Sequence, residues 1–393
     1  MKFYYHNRKG KLIFKPLYAQ YVKEFMSVIS EDVAWKTAFK NFRDTGVFER
    51  YMLNSYQFSA AKTLDEGRLL QAAVYEGETV RGYSAFKRAA REITDIHQET
   101  WLRTEYDNAR QQMVASQEFR AMRDVADLYP YWVYKTRHDA RVRPEHAALE
   151  GKIFRMGDPN GDACYPPVDW NCRCNGESAD GRYLEDNRTR ALTAAESKVI
   201  LYGNDEDGKP YIDPQFRYNP ADQGMMPRQG RYFDTFPSAN SAGAKMFKVS
   251  DVPEDYQARY PETFAARTLH HLIGLMNDWR RNEHADNRDN VIFQNAEMQA
   301  NITFGSHALH AVSKHPRNIE FLPQTLKQPD EIWMSWENLE KQLNISSNYI
   351  TFMNRAAYVV QVKASQVTDA FAVAASQVDR YRRGLPFIHP QNH

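Results

Sequence analysis

A chain of 393 residues with 51 Lys and Arg against 50 Asp and Glu has a formal charge of +1, so the whole molecule has no strong electrostatic preference for nucleic acid or membrane. Its length exceeds one ordinary core and points to two domains with connecting material. The N-terminal residues Met1 to Phe14 lack the apolar stretch of a secretory signal, and nowhere do about 18 apolar residues run together as a bilayer span requires. The expectation is a soluble protein made in a cytoplasm.

From Tyr18 to about Arg123 the pattern reads as helical. Thr63 and Glu66 have capping-box spacing ahead of Leu69, Leu70 and Ala73, and Ser84 can cap a second segment. In that segment Phe86, Ala89, Ile93, Ile96 and Thr100 recur every three or four residues and share one face. Lys87, Arg91, Asp95 and Glu99 occupy the other, which predicts an amphipathic helix packed on its neighbours.

All the cysteines, Cys164, Cys172 and Cys174, fall close together. An odd number with two so near each other argues for the reduced state. Zinc needs three or four soft or borderline ligands drawn from short loops. A single-residue gap in an extended chain throws the Cys172 and Cys174 sulfurs to one face. Cys164 and His146 complete the expected set, with His138 and Asp139 as substitutes. Two other readings stand beside zinc. One is a compact reduced loop with buried ion pairs among Asp139, Arg141, Arg143 and Arg173; the other is a catalytic thiol with Arg173 lowering its pKa and His146 as base.

The full string Trp132-Val-Tyr-Lys-Thr-Arg-His-Asp139-Ala-Arg141-Val-Arg143-Pro-Glu-His146, with Gly151, Tyr165-Pro-Pro and Trp170-Asn-Cys172-Arg-Cys174, closely resembles the signature of the phage Mu gpF-like head morphogenesis family, minor capsid proteins of tailed phages. The segment Trp101 to Ala109 and the closing Phe216-Arg-Tyr-Asn-Pro220 resemble flanking parts of that signature. The resemblance implies a minor head protein assembled in the host cytoplasm, associated with the portal and other head proteins, and carried in the virion on the capsid interior. The sequence departs from common versions in having Asp169-Trp170 where a His or aromatic pair often stands, which bears on any metal carried over.

Between Gly176 and about Gly243 the composition turns to Gly, Pro, Asn and Asp, favouring turns, and Arg228 to about Val252 reads as the linker. Pro261 and Glu262 then open a helix with Phe264, Thr268, Leu272, Leu275 and Trp279 on one side. The adjacent His270 and His271 diverge on that helix and cannot chelate one ion together. The short aromatic and β-branched runs Glu331–Trp336, Tyr349–Met353 and Ala357–Lys363 predict an antiparallel sheet.

Ahead of these runs stand His310 and His315. Histidine suits proton transfer near neutrality, and Lys or Arg suits a developing phosphate charge. The order His310, His315, Pro329-Asp-Glu-Ile-Trp333, the strands ending at Lys363, Thr368 to Phe371, then Arg383-Gly384 resembles the phage-borne barnase-EndoU-colicin-RelE-like nuclease domains. That resemblance implies a metal-independent ribonuclease site in which His310 and His315 act as base or acid, Lys363 and Arg383 hold the phosphate and Thr368 donates. RNA is the implied partner, and an RNase effector delivered with the virion, in the manner of a polymorphic toxin, is the alternative function. The expected architecture is therefore multi-domain. Residues 1–225 form a mainly helical domain with an irregular Cys-containing end, 226–299 a linker and helical connector, and 300–388 a small α+β domain with an antiparallel sheet.

Overall fold

The computed structural model describes residues 14–41, 46–240, 269–298, 300–339 and 342–388. The chain divides into two compact units, one of Met1–Ile29 with Asn54–Pro237 and the other of Ser30–Leu53 with Ser238–His393.

Helices α1 (Lys15–Glu31), α2 (Val33–Lys40) and α3 (Gly46–Ala72) come first. From Tyr51 to Glu66 every residue of α3 is buried, because small and aromatic residues surround it on all sides in place of a single apolar stripe. The capping box expected at Thr63 and Glu66 does not form. Thr63 lies inside α3 and its hydroxyl donates to the Ser59 carbonyl at 2.6 Å, while Glu66 accepts from Tyr21 and Gln98.

A hairpin of β1 (Tyr75–Glu76) and β2 (Thr79–Val80) leads into α4 (Tyr83–Asp95), whose N-cap is Gly82 and not Ser84. Phe86 and Ala90 bury against Leu70 and Val74, with Ala89 and Ile93 beside them. The expected stripe fails at Ile96. Residues Ile96–Trp101 form a π-helical turn, and its extra residue shifts the phase, exposing Ile96 and turning His97 inward. Helix α5 (Leu102–Asp124) follows.

Strand β3 (Tyr131–Lys135) is the middle of an antiparallel three-stranded sheet between β4 (Ile153–Arg155) and β5 (Asn175–Ala179). Strand alternation sends Trp132 and Tyr134 into a core with Phe119, Phe154 and Tyr165, while Val133 joins Ile153 and Ala179 on the other side. Trp132 stacks on Phe154 with ring centroids 4.4 Å apart. Gly176 is demanded by this packing, since a Cβ there would stand 2.3 Å from the Tyr165 ring. Two short helices, α6 (Pro144–Ala147) and α7 (Pro159–Asp162), sit in the connections.

The turn-rich stretch that follows carries α8 (Gly181–Asp186), α9 (Ala194–Tyr202), α10 (Pro220–Gln223) and α11 (Arg231–Thr235). Thr193 and Glu196 make a complete capping box for α9. The segment expected as a linker is packed over its first part: Tyr232 and Phe233 are buried, with rings 5.3 and 6.4 Å from Phe58. Its remainder from residue 241, and Pro261 to Thr268, lie outside the described residues.

In the second unit α12 (Leu269–Asn282) buries Leu272 and Trp279 as expected, and Trp279 meets Phe293 and Phe304 edge-on. Strands β6 (His284–Ala285), β7 (Val291–Asn295) and β8 (Ala300–Phe304), helices α13 (Ser306–Val312) and α14 (Leu322–Lys327), then β9 (Glu331–Leu339), β10 (Gln342–Met353), β11 (Ala356–Lys363), β12 (Gln366–Ala374) and β13 (Leu385–Ile388) complete it. The sheet order is β13-β9-β10-β11-β12-β8-β7-β6, antiparallel throughout except where β12 meets β8. The three predicted strands fall within β9, β10 and β11. Residues from the N-terminal part belong to this unit: the Ser365 hydroxyl donates to Glu49 at 2.7 Å and the Gln294 amide to the Phe39 carbonyl at 2.8 Å. The architecture is thus a mainly helical N-terminal half and a C-terminal antiparallel sheet, the class the sequence predicts. Among the described residues no helix is long and apolar enough to cross a membrane.

Candidate metal centre

Pro144 starts α6 at a first-turn position whose N–H would have no partner within the helix, and places His146 near the end of that turn. Cys172 and Cys174 flank Arg173 in the irregular segment entering β5. Both sulfurs and a ring nitrogen of His146 lie within 4.8 Å of one another. His146 and Cys172 are buried and Cys174 is half-buried. Zinc–sulfur bonds of about 2.3 Å and zinc–nitrogen bonds of about 2.0 Å require donors this close. Two thiols and an imidazole are a zinc donor set with one position left open. A ring nitrogen of the same imidazole lies within 4.8 Å of the Glu145 and Asp169 carboxylates, groups of the kind that can orient a ligating histidine. Asp169, read from sequence only as a departure, is therefore part of the neighbourhood.

The remaining sequence-predicted ligands are not brought to this cluster. Cys164 is turned by α7 into the aromatic core, where its thiol donates to the Asn160 carbonyl at 3.2 Å and burial pushes its pKa up. His138 is exposed on left-handed backbone near Glu150. Asp139 accepts two hydrogen bonds of 2.7 Å from Arg173, which hold its carboxyl down to about 2.

The two clustered thiols polarise one another. The neighbouring Cys172 thiol lowers Cys174 to about 7 against the opposing effect of burial, helped by the Arg173 charge. Cys172 is pushed up by the Cys174 thiol and by burial. Above the cluster lies a cavity of about 320 Å³ walled by Arg137, Arg141, Arg143 and Arg173. Arg143 reaches Asp169 at 2.8 Å and the Trp170 carbonyl at 2.6 Å. Of the ion pairs expected among Asp139, Arg141, Arg143 and Arg173, only Arg173–Asp139 forms, and it lies at the surface; Arg143 pairs with Asp169 instead.

The histidine set of the second unit is only partly assembled. His310 is exposed on α13, and His315 just beyond it meets Phe371 of β12 with ring centroids 6.1 Å apart. Helix α13 packs on β12, the strand carrying Thr368, whose hydroxyl donates to the Gln361 carbonyl at 3.2 Å. Lys363 is exposed at the end of β11 opposite Gln366. Arg383 stands apart at the approach to β13, with β9, β10 and β11 between that strand and β12, and its Nε donates to the Arg380 carbonyl. The neighbouring Arg382 is the enclosed arginine: it forks onto Glu331 with two bonds of 2.7 Å, and Glu331 also accepts from the Trp333 indole at 2.8 Å. Nothing in the run Arg380-Tyr-Arg-Arg distinguishes these arginines by sequence.

Residues 67–176 match the family model of Phage Mu protein F like protein, and residues 278–387 match that of phage-Barnase-EndoU-ColicinE5/D-RelE like nuclease2. The chain therefore joins a phage Mu F-like region to a nuclease-like region, as both resemblances imply. It is 42% identical over 82 residues to the F protein of Escherichia phage Mu, whose name assigns it to capsid assembly. It is 35% identical over 104 residues to the Mu-like prophage FluMu F protein of Haemophilus influenzae. These matches take in 21% and 25% of this chain and span only 16% and 25% of the two relatives. No solved structure matches the chain.

Proposed function

We propose that the chain is a minor capsid protein acting in head morphogenesis of a tailed phage or prophage, working with the portal and other head proteins and residing on the capsid interior. The observation that carries this reading is the Mu F-like match over residues 67–176, which takes in the π-helical turn, α5, strands β3 and β4, the start of β5 and the Cys and His cluster. Zinc bound by His146, Cys172 and Cys174 would tie α6 to the segment entering β5 and hold the shape of the three-stranded module. The test is a prophage deleted for this chain and complemented with it. Recovery of full heads on complementation supports the role, and normal head yield in the deletion rejects it.

A second reading concerns the C-terminal unit. The packing of α13 on the strand of Thr368, with His315 beside Phe371, supports RNA cleavage with His310 and His315 moving protons, Lys363 on the phosphate and Thr368 as donor, while Arg383, three strands away, takes no part in it. Purified protein incubated with RNA in chelator reads it directly: cleavage abolished by His315→Ala supports the assignment, and intact RNA with the parent protein rejects it.

A further inference from the structure

Four arginines line the cavity above His146, Cys172 and Cys174, and none of its lining residues is acidic. Two of the four are already engaged: Arg173 forks onto Asp139 and Arg143 reaches Asp169. The other two are not. Arg137 spends its Nε on the Arg173 carbonyl at 2.9 Å. Among the described residues, its terminal nitrogens and the whole Arg141 guanidinium have no hydrogen-bond or ion-pair partner, and only the more distant charges of Glu118 and Asp139 act on them. In a chain whose net charge is only +1, this concentration of like charge is a local construction and not a by-product of composition. Converging cations in a half-enclosed site repel one another until an anion arrives.

We infer that this cavity is a docking site for an acidic protein segment, whose Asp or Glu carboxylates pair with Arg137 and Arg141. The inference rests on the head-assembly reading and names the chemistry of the partner. Guanidinium forks match carboxylates through two parallel hydrogen bonds, which a lysine cannot do. A cavity of about 320 Å³ admits one or two acidic side chains, and Val142 in its wall offers apolar surface for their methylenes. No aromatic side chain lines it, so the stacking platform that single-stranded nucleic acid uses is missing.

The test uses the full chain and fluorescein-labelled hexaglutamate, followed by fluorescence anisotropy, with inorganic phosphate and a single-stranded oligonucleotide as competitors. Saturable binding is expected, weakening roughly tenfold or more in Arg137→Ala/Arg141→Ala and only partly restored by Arg137→Lys/Arg141→Lys. Both arginines are exposed, so the thermal melt and metal content of these variants should stay those of the parent. Absence of saturable binding overturns the inference, as does equal binding by the double alanine variant. Stronger displacement by phosphate or by the oligonucleotide than by unlabelled peptide also overturns it, in favour of a phosphate site. Head assembly is read separately in the complemented prophage. Normal heads without the chain reject the assembly role even if the peptide binds, and lost peptide binding with heads still dependent on the chain rejects this site alone.

Discussion

The Lys62 ammonium and the Glu105 carboxylate stand 2.8 Å apart with side-chain exposures of 0% and 5%. The Tyr232 hydroxyl donates to the same carboxylate at 2.6 Å, and the ammonium lies 4.9 and 5.2 Å from the ring centres of Tyr21 and Tyr232. Burial disfavours both charges, raising Glu105 and lowering Lys62, and their pairing opposes each shift. Removing one partner strands the other, so Lys62→Met or Glu105→Leu alone should cost about 3–5 kcal/mol. The double variant should cost clearly less than the sum. Urea unfolding followed by tryptophan fluorescence gives all three numbers, and a single variant as stable as the parent refutes the coupling.

Asp162 provides a pH signature. Burial raises its carboxyl to about 6, against the Gly157 N–H and Arg123, which favour the charged form. The folded state therefore holds this proton more tightly than the unfolded state. Its contribution to stability grows as pH falls from about 7 to about 4 and is lost as pH rises through the folded value, by no more than about 3 kcal/mol. Asp162→Asn keeps an acceptor for Gly157 and removes the titration. Melting curves should place the variant above the parent at about pH 8 and level with it by about pH 4. A constant gap across that range rejects the assignment.

Metal content separates the cysteines. Elemental analysis of purified protein should find stoichiometric zinc that is lost in Cys172→Ser, Cys174→Ser and His146→Asn and kept in Cys164→Ser. Cys164 instead fills a core position, so its serine variant should melt lower by an amount on the order of 1 kcal/mol. Zinc that persists without Cys172 rules out this centre.

The adjacent arginines near the C-terminal end should behave oppositely. Arg382 and Glu331 have side-chain exposures of 1% and 0%, so Arg382→Ala should destabilise the second unit by about 3–5 kcal/mol. Arg383→Ala, on an exposed side chain, should change stability by no more than about 0.5 kcal/mol. Denaturant titration of the two variants decides, and similar losses in both contradict the placement.

Legibility from sequence followed how local the cause was. Tyr349–Met353 and Ala357–Lys363 announced their strands because β-branched and aromatic residues set that preference locally. The π-helical turn escaped notice because Ile96 and Thr100 fit a regular helix, whereas the turn comes with His97 meeting Asp65 at 3.3 Å, a tertiary contact. The segment after Arg228 looked like a linker because composition reports turns and not packing; Tyr232 is nonetheless enclosed beside Lys62. Cys172, Cys174 and His146 lie together, as their motif suggests, whereas Cys164 does not join them because nearness along the chain is not nearness in space. The cavity arginines were visible as a basic string, but which of them were already paired depended on Asp139 and Asp169.

Glu49 bonded to Ser365 has a practical outcome for any protease that acts on this chain. Hydrolysis at one bond between Asn240 and Leu269 would not set the C-terminal portion adrift, because Ser30–Leu53 stay folded into that unit and run on covalently through α3. The nicked molecule should co-elute as one species in native buffer and separate only under denaturing conditions. Liberating the nuclease-like part would take two more scissions, one close to Ile29 and one close to Leu53, each within a helix.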